Sequence, residues 1–157
     1  MEKLDKQMIH HVGFVVANLD ETVKQFKDFY GVSDFNIYDF TPSRVWSYGK
    51  EVYDYKLKIA MSASKDARTG IEIIQPLSGE GVHKEFLVAG NSGMHHVCIS
   101  VDDDYDDWRD RFASNGYRFV FESETEDEVI GYRRCFYAED TIAGMIIEIK
   151  EQPYFRK

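Results

Sequence analysis

Only two cysteines, Cys98 and Cys135, occur among 157 residues, and both sit in strand-like text. That argues against a disulfide framework and makes a reducing compartment the expectation. Long apolar runs are missing as well: charges interrupt every hydrophobic stretch, so no membrane-spanning helix is expected. The opening residues, MEKLDKQMIHH, hold no apolar segment of the kind a secretory signal needs, and a cytoplasmic location is the corresponding expectation. Basic residues are outnumbered, 19 against 28 acidic ones, for a net charge of −9. Nucleic acid is therefore a poor partner, because phosphates call for a clustered basic face. The acidic excess is gathered in VDDDYDDWRD and FESETEDE, which read as solvated helix and loop surface.

What is present is enough for a core. A chain with 43% apolar residues and 15% aromatics suits a single domain over residues 1–157. Its main internal feature is a repeat. HHVGFVV (10–16) and HHVCISV (95–101) match at a separation of 85 residues, and the same shift carries Gly31 onto Gly116. Each copy reads as strand, acidic turn, helix, glycine stop. In the first, Val23, Phe26, Phe29 and Tyr30 fall at helical spacing; in the second, Tyr105, Trp108 and Phe112 do. Strand-like runs follow each helix: FNIYDF, RVWSYG, YKLKIAMSA and GIEIIQP in the first copy, YRFVFES, VIGYRRCFYAE and GMIIEIKEQP in the second. The fold class is thus α+β: two tandem βαβββ modules, about 8–77 and 94–153, forming a paired, curved mixed sheet around a cleft. Residues 78–93 link them, with a short helix expected over Val82–Val88.

Side chains of a strand alternate between its faces, so the apolar set of each strand fixes which residues face the cleft. With Val12, Phe14 and Val16 under the first helix, His11 faces the other way. Val97, Ile99 and Val101 leave His96 there. Ile71 and Ile73 leave Glu72, while Met145, Ile147 and Ile149 leave Glu148. One rule thus yields two imidazoles and two carboxylates at matched places. Such a set suits one divalent ion of zinc, nickel, cobalt, manganese or iron, and an ion offsets the cost of a carboxylate in a strand interior. His10 and His95 fall on the opposite parity and read as structural, although a one-residue slip would exchange the members of each doublet. His83 reads as a surface residue of the linking helix.

The segments HHVGFVV, IEIIQPLSGEG, GMHHVCISVDD and GMIIEIKEQP, in this order, resemble the vicinal oxygen chelate superfamily, which includes glyoxalase I, methylmalonyl-CoA epimerase, extradiol dioxygenases and bleomycin-resistance proteins. The resemblance runs from Met8 to about Pro153. It implies the paired βαβββ fold, the metal site, His11 and His96 as ligands, Glu148 as the closing-strand acid, and a homodimer. It also implies chemistry in which a metal binds neighbouring substrate oxygens and a carboxylate, Glu148 or Glu72, moves a proton beside a carbonyl.

Among members, the text is most similar to methylmalonyl-CoA epimerase, an epimerase acting through an enolate. Two departures stand out: Glu72 where bacterial epimerases tend to carry Gln, and Lys58 about where a second acid is expected. Glyoxalase I, a lactoylglutathione lyase working through an enediolate, matches the His/Glu/His/Glu set but usually has an arginine near the end of the first strand, which HHVGFVVANLD lacks. A non-catalytic, drug-sequestering resistance protein is the third alternative. The expected substrate is a small molecule: an oxo-acid, thioester or hemithioacetal. Arg44, Lys56, Lys58, Arg133 and Arg134 are the basic residues available to hold an anion, with one of the two adjacent arginines facing the cleft. Lys58, Arg133 and Arg134 are carried forward as substrate-binding candidates.

Overall fold

Alternating and helical patterns settle into ten strands and three helices in a computed structural model that describes residues 9–32, 34–63 and 69–157. The expected start of the first module at residue 8 lies outside the described residues. In chain order the elements are β1 (Ile9–Val15), α1 (Leu19–Tyr30), β2 (Phe35–Phe40), β3 (Arg44–Ser47), β4 (Lys50–Val52), β5 (Lys56–Ser62), β6 (Gly70–Ser78), α2 (Val82–Val88), β7 (Gly93–Val101), α3 (Tyr105–Ser114), β8 (Arg118–Asp127), β9 (Gly131–Asp140) and β10 (Met145–Glu151).

Helix α1 begins at Asn18, whose side chain accepts from the Glu21 N–H, and it carries Asp20 and Glu21 in its first turn, where the helix dipole favours acids. It ends at Gly31, which is left-handed at φ 70°. Leu19, Val23 and Phe26 pack with Val16, Ala60 and Ile73 as the core beneath the helix. Phe29 and Tyr30 were expected on that face but are 83% and 65% exposed. Phe29 is turned about 60° past Phe26 onto the flank, and Tyr30 is the last helical residue, touching only the ring of Phe26 among aromatic groups in the described residues. The matching core beneath α3 holds Tyr105, Trp108, Phe136, Ile147 and Ile149, with Phe112 against it. Met145, also expected there, is 40% exposed at the start of its strand.

The strands form one sheet in the order β2-β5-β6-β1-β7-β10-β9-β8-β3-β4. At its centre β1 and β7 pair antiparallel, and each has its module's last strand parallel on its outer side, β6 and β10. The sheet differs from the expected layout in one respect. RVWSYG does not join the first module's strands; it starts the β3–β4 hairpin, which pairs with β8 of the second module. Only residues 41–43 connect β2, at one margin, to β3, near the other. A link that short spans at most about 14 Å, so the sheet must curl until its margins nearly meet. The enclosed face holds a third core, including Val15, Leu57, Ile74, Phe121 and Tyr137, and Val82 of α2 closes onto it. No helix among the described residues is long and apolar enough to cross a membrane.

Candidate metal centre

The sheet ladder brings the four parity-selected residues together as two neighbouring rows. In one, Glu72 on β6 pairs with Gly13 on β1, which pairs with His96 on β7. In the other, His11 on β1 pairs with Cys98 on β7, which pairs with Glu148 on β10. Each row is an acid and a histidine two strands apart, with a small residue between. Smallness is required: a Cβ on Gly13 would lie 2.0 Å from His96 Cε1, so the imidazole lies directly across the glycine. In the other row the Cys98 sulfur lies within 4.8 Å of a ring nitrogen of His11.

The four side chains converge. His11 Nε2 lies 3.2 Å from Glu72 Oε2 and 3.1 Å from Glu148 Oε2; His96 Nε2 lies 3.2 and 3.3 Å from the same oxygens. The two Nε2 atoms are 3.3 Å apart. Donors around one ion at 2.0–2.2 Å would be separated by roughly 2.9–3.6 Å, so the spacing fits a single first-row divalent cation. All four residues are buried. Burial opposes charge on each, but the imidazoles hold both carboxyls well below the carboxylate range, and the carboxylates hold both imidazoles above the usual 6.5. The cluster therefore favours two units of positive charge at its centre, and a divalent ion supplies that charge at one point.

His10 and His95 do not simply point away, as alternation requires. The β1–β7 ladder shifts register twice, passing over His10 between Ile9 and His11, and over His95 between Gly13–His96 and Phe14–Met94. Each shift is a bulge, which re-aims the residue it contains. As a result His10 Nδ1 lies 2.8 Å from His11 Nδ1, and His95 Nδ1 lies 3.0 Å from His96 Nδ1. Burial, then Lys150, lowers His10 to about 4; burial, then His83, lowers His95 to about 2. Both are neutral imidazoles at pH 7.

His83 is not at the surface. It is wholly buried, with Nδ1 2.6 Å from the Tyr55 hydroxyl, Nε2 3.2 Å from the Tyr137 hydroxyl, and its ring stacked on His95. The reason was available in the sequence: Val82, His83, Phe86 and Leu87 share one face of α2, and that face closes the hollow.

The hollow beside the quartet has a volume of about 60 Å³. The first module lines it with Tyr38, Phe40, Leu57, Ile59, Met61 and Ile74; the second contributes Ser123, Thr125, Arg133, Cys135, Tyr137 and Lys150. Of the substrate-binding candidates, the structure brings Arg133 to it without a carboxylate at ion-pair distance among the described residues, its guanidinium over the Phe40 ring. Arg134 is turned toward α3, bound by Glu151 at 2.7 Å and Asp106 at 2.9 Å. Lys58 pairs with Asp20 at 2.8 Å on the α1 side, since Leu57 and Ile59 take the inward positions of β5. Arg44 and Lys56 are likewise engaged, by Glu51 and Asp39. Sequence reasoning missed Lys150, although it lies two residues beyond Glu148 and so on the same face.

Comparison with known proteins agrees with the fold. The sequence profile described as "Glyoxalase/Bleomycin resistance protein/Dioxygenase superfamily" matches residues 10–136, and the chain belongs to that superfamily. No curated protein sequence matches it significantly. Among solved structures, a methylmalonyl-CoA epimerase from Mycobacterium tuberculosis is 23% identical, with TM-score 0.65 over 94% of this chain and 88% of the other. A Streptomyces coelicolor methylmalonyl-CoA epimerase variant in complex with 2-nitronate-propionyl-CoA is 15% identical, with TM-score 0.64 over 94% and 98%. A 4-hydroxymandelate synthase variant from Streptomyces coelicolor is 13% identical, with TM-score 0.62 over 96% of this chain and 50% of the other. These likenesses concern the fold.

Proposed function

We propose that the chain is a metal-dependent isomerase or epimerase acting on a small acid or thioester whose neighbouring oxygens reach the His11, Glu72, His96, Glu148 quartet. The observation that carries this reading is the convergence of those four side chains from four central strands onto one point. A divalent ion bound there would supply positive charge beside a carbonyl oxygen, lowering the barrier to loss of the neighbouring proton. Glu148 and Glu72 are the available proton carriers, each already ionised by its surroundings. The hollow limits the reacting group: about 60 Å³ has room for roughly four or five waters, hence for an acyl head and not for a bulky one. Arg133 and Lys150 line it, and among the described residues neither has a carboxylate within ion-pair distance. They suit an anionic group on the substrate, with an apolar substituent lying against Ile59, Leu57 and Met61. The likeness to methylmalonyl-CoA epimerases supports this choice of substrate class.

A glyoxalase I-like lyase is the second reading, favoured by one observation: the fourth candidate ligand is Glu72, completing two histidines and two glutamates. The test is metal analysis of the purified protein, followed by two assays of the metal-loaded form. Exchange of the α-hydrogen of methylmalonyl-CoA in heavy water supports the epimerase. Consumption of the hemithioacetal of methylglyoxal and glutathione, without that exchange, transfers the chain to the lyases. Binding of bleomycin with neither reaction makes it a sequestering protein. The same reading carries a homodimer, checked by light scattering, and a cytoplasmic location.

A further inference from the structure

We propose that His10 and His95 are positioning residues that lock His11 and His96 in the tautomer whose Nε2 faces the centre of the quartet; this rests on the metal reading above. The geometry requires no displacement of any group. A ring that offers its Nε2 lone pair to the centre carries its proton on Nδ1, and that N–H needs an acceptor. Nδ1 of the preceding histidine is 2.8 Å away in one half and 3.0 Å away in the other.

Three observations support the assignment. First, the two register shifts of the β1–β7 ladder fall on these two residues. Each interrupts the ladder of a central strand, and without it alternation would turn the first histidine of each doublet away from the second. Second, Lys150 Nζ makes a long contact of 3.5 Å with His10 Nδ1. An ammonium beside that nitrogen disfavours a proton on it, so its single lone pair is left to accept from His11 Nδ1–H, and the proton between the two rings belongs to His11. Third, His95 is buried among His83, Phe86 and Tyr137, and its Nε2 is the one buried side-chain polar atom among the described residues without a hydrogen-bond partner. A plain packing role would be met by an aromatic ring lacking that orphaned atom; among the described residues the one side-chain hydrogen bond of His95 is that to His96. Metal-binding histidines usually lean on a carboxylate, a carbonyl or water; here each leans on a second imidazole, which accepts without adding negative charge to a site already holding two carboxylates.

The experiment titrates Co²⁺ into the full chain against a chromophoric chelator, with thermal unfolding followed in parallel. His10→Phe and His95→Phe keep the ring volume and remove the acceptor; each is expected to weaken Co²⁺ binding about 10–100-fold with the fold intact. His10→Asn and His95→Asn return a carbonyl acceptor near the Nδ1 position and are expected to recover most of that loss. In the zinc-loaded wild type, long-range ¹H–¹⁵N spectra should show His11 and His96 protonated at Nδ1. Wild-type affinity in both Phe variants, or Nδ1-metallated rings in the spectra, overturns the positioning role alone. No Co²⁺ binding by the wild type overturns the metal reading beneath it. Should His95→Phe fail to fold, the half-buried His10 and the spectra decide.

Discussion

The two modules share a ladder and divide the labour of the cleft. Around the centre they are near copies: a histidine across a small residue from a glutamate, in each row. A few ångströms away the likeness ends. Next to Glu72 on β5 stands Met61, whereas next to Glu148 on β9 stands Tyr137; Ile59 and Ile74 of the first wall have Cys135 and Lys150 as their counterparts in the second. The two halves thus match around the candidate metal centre and differ in the walls, one apolar and the other cationic and hydroxyl-bearing, as the proposed binding of an unsymmetrical substrate would require.

The comparison breaks most severely at the centre. His96→Ala should lower metal affinity by more than about 100-fold and abolish turnover with little change in the melting curve; full metal occupancy in that variant would falsify the quartet. Gly13→Ala should come close to it, because the added methyl would occupy the place of the His96 ring. Its partner under the repeat, Cys98→Ala, should keep metal within about tenfold of wild type, since the change removes bulk and only a thiol contact. Equal behaviour of the two variants would mean that the rows are not packed as described.

At the walls the effects are smaller and should separate. Arg133→Met and Lys150→Met should each raise KM by about 10-fold, the scale of one lost charge-assisted hydrogen bond, with metal content unchanged. Ile59→Val should move neither by more than a few fold. A rise in KM confined to the apolar wall would reverse the proposed orientation of the substrate. The smallest effect concerns acid. Burial holds His83 neutral down to about 3, while an unfolded histidine takes up its proton near 6.5. The unfolded chain therefore binds the proton first as pH falls, and stability drops below pH 6.5 by about 1.4 kcal/mol per unit. Unfolding at pH 7 and pH 5 should differ by about 2 kcal/mol less in His83→Phe than in the wild type; an identical pH dependence would place His83 in contact with water.

Much of this was legible in the sequence because strand parity and an 85-residue repeat are local rules. They picked out His11, Glu72, His96 and Glu148, and the helix over Val82–Val88 was read with the same bounds. Three features escaped for reasons that are also physical. A bulge changes parity without changing the letters, so His10 and His95 were assigned to the wrong company. The partner of a hairpin is a tertiary choice, and nothing in RVWSYG announces that it will pair with β8. Lys58 was judged by charge, when its alternation with Leu57 and Ile59 already turned it away from the hollow, while Arg134 borders the hollow but is held by Glu151 and Asp106, a tertiary pairing that its own segment does not announce.

The crossing of the β3–β4 hairpin has a consequence for how the chain can assemble. Its docking edge is built from residues some 80 positions downstream, Arg44 facing Glu124 and Ser47 facing Phe121. The amino-terminal half, cut free at the linker, would carry a two-stranded flap with nowhere to anneal, and such flaps are marginal alone in water. Neither half can therefore complete the sheet alone, and a fragment-complementation assay should find metal binding only when the two are mixed.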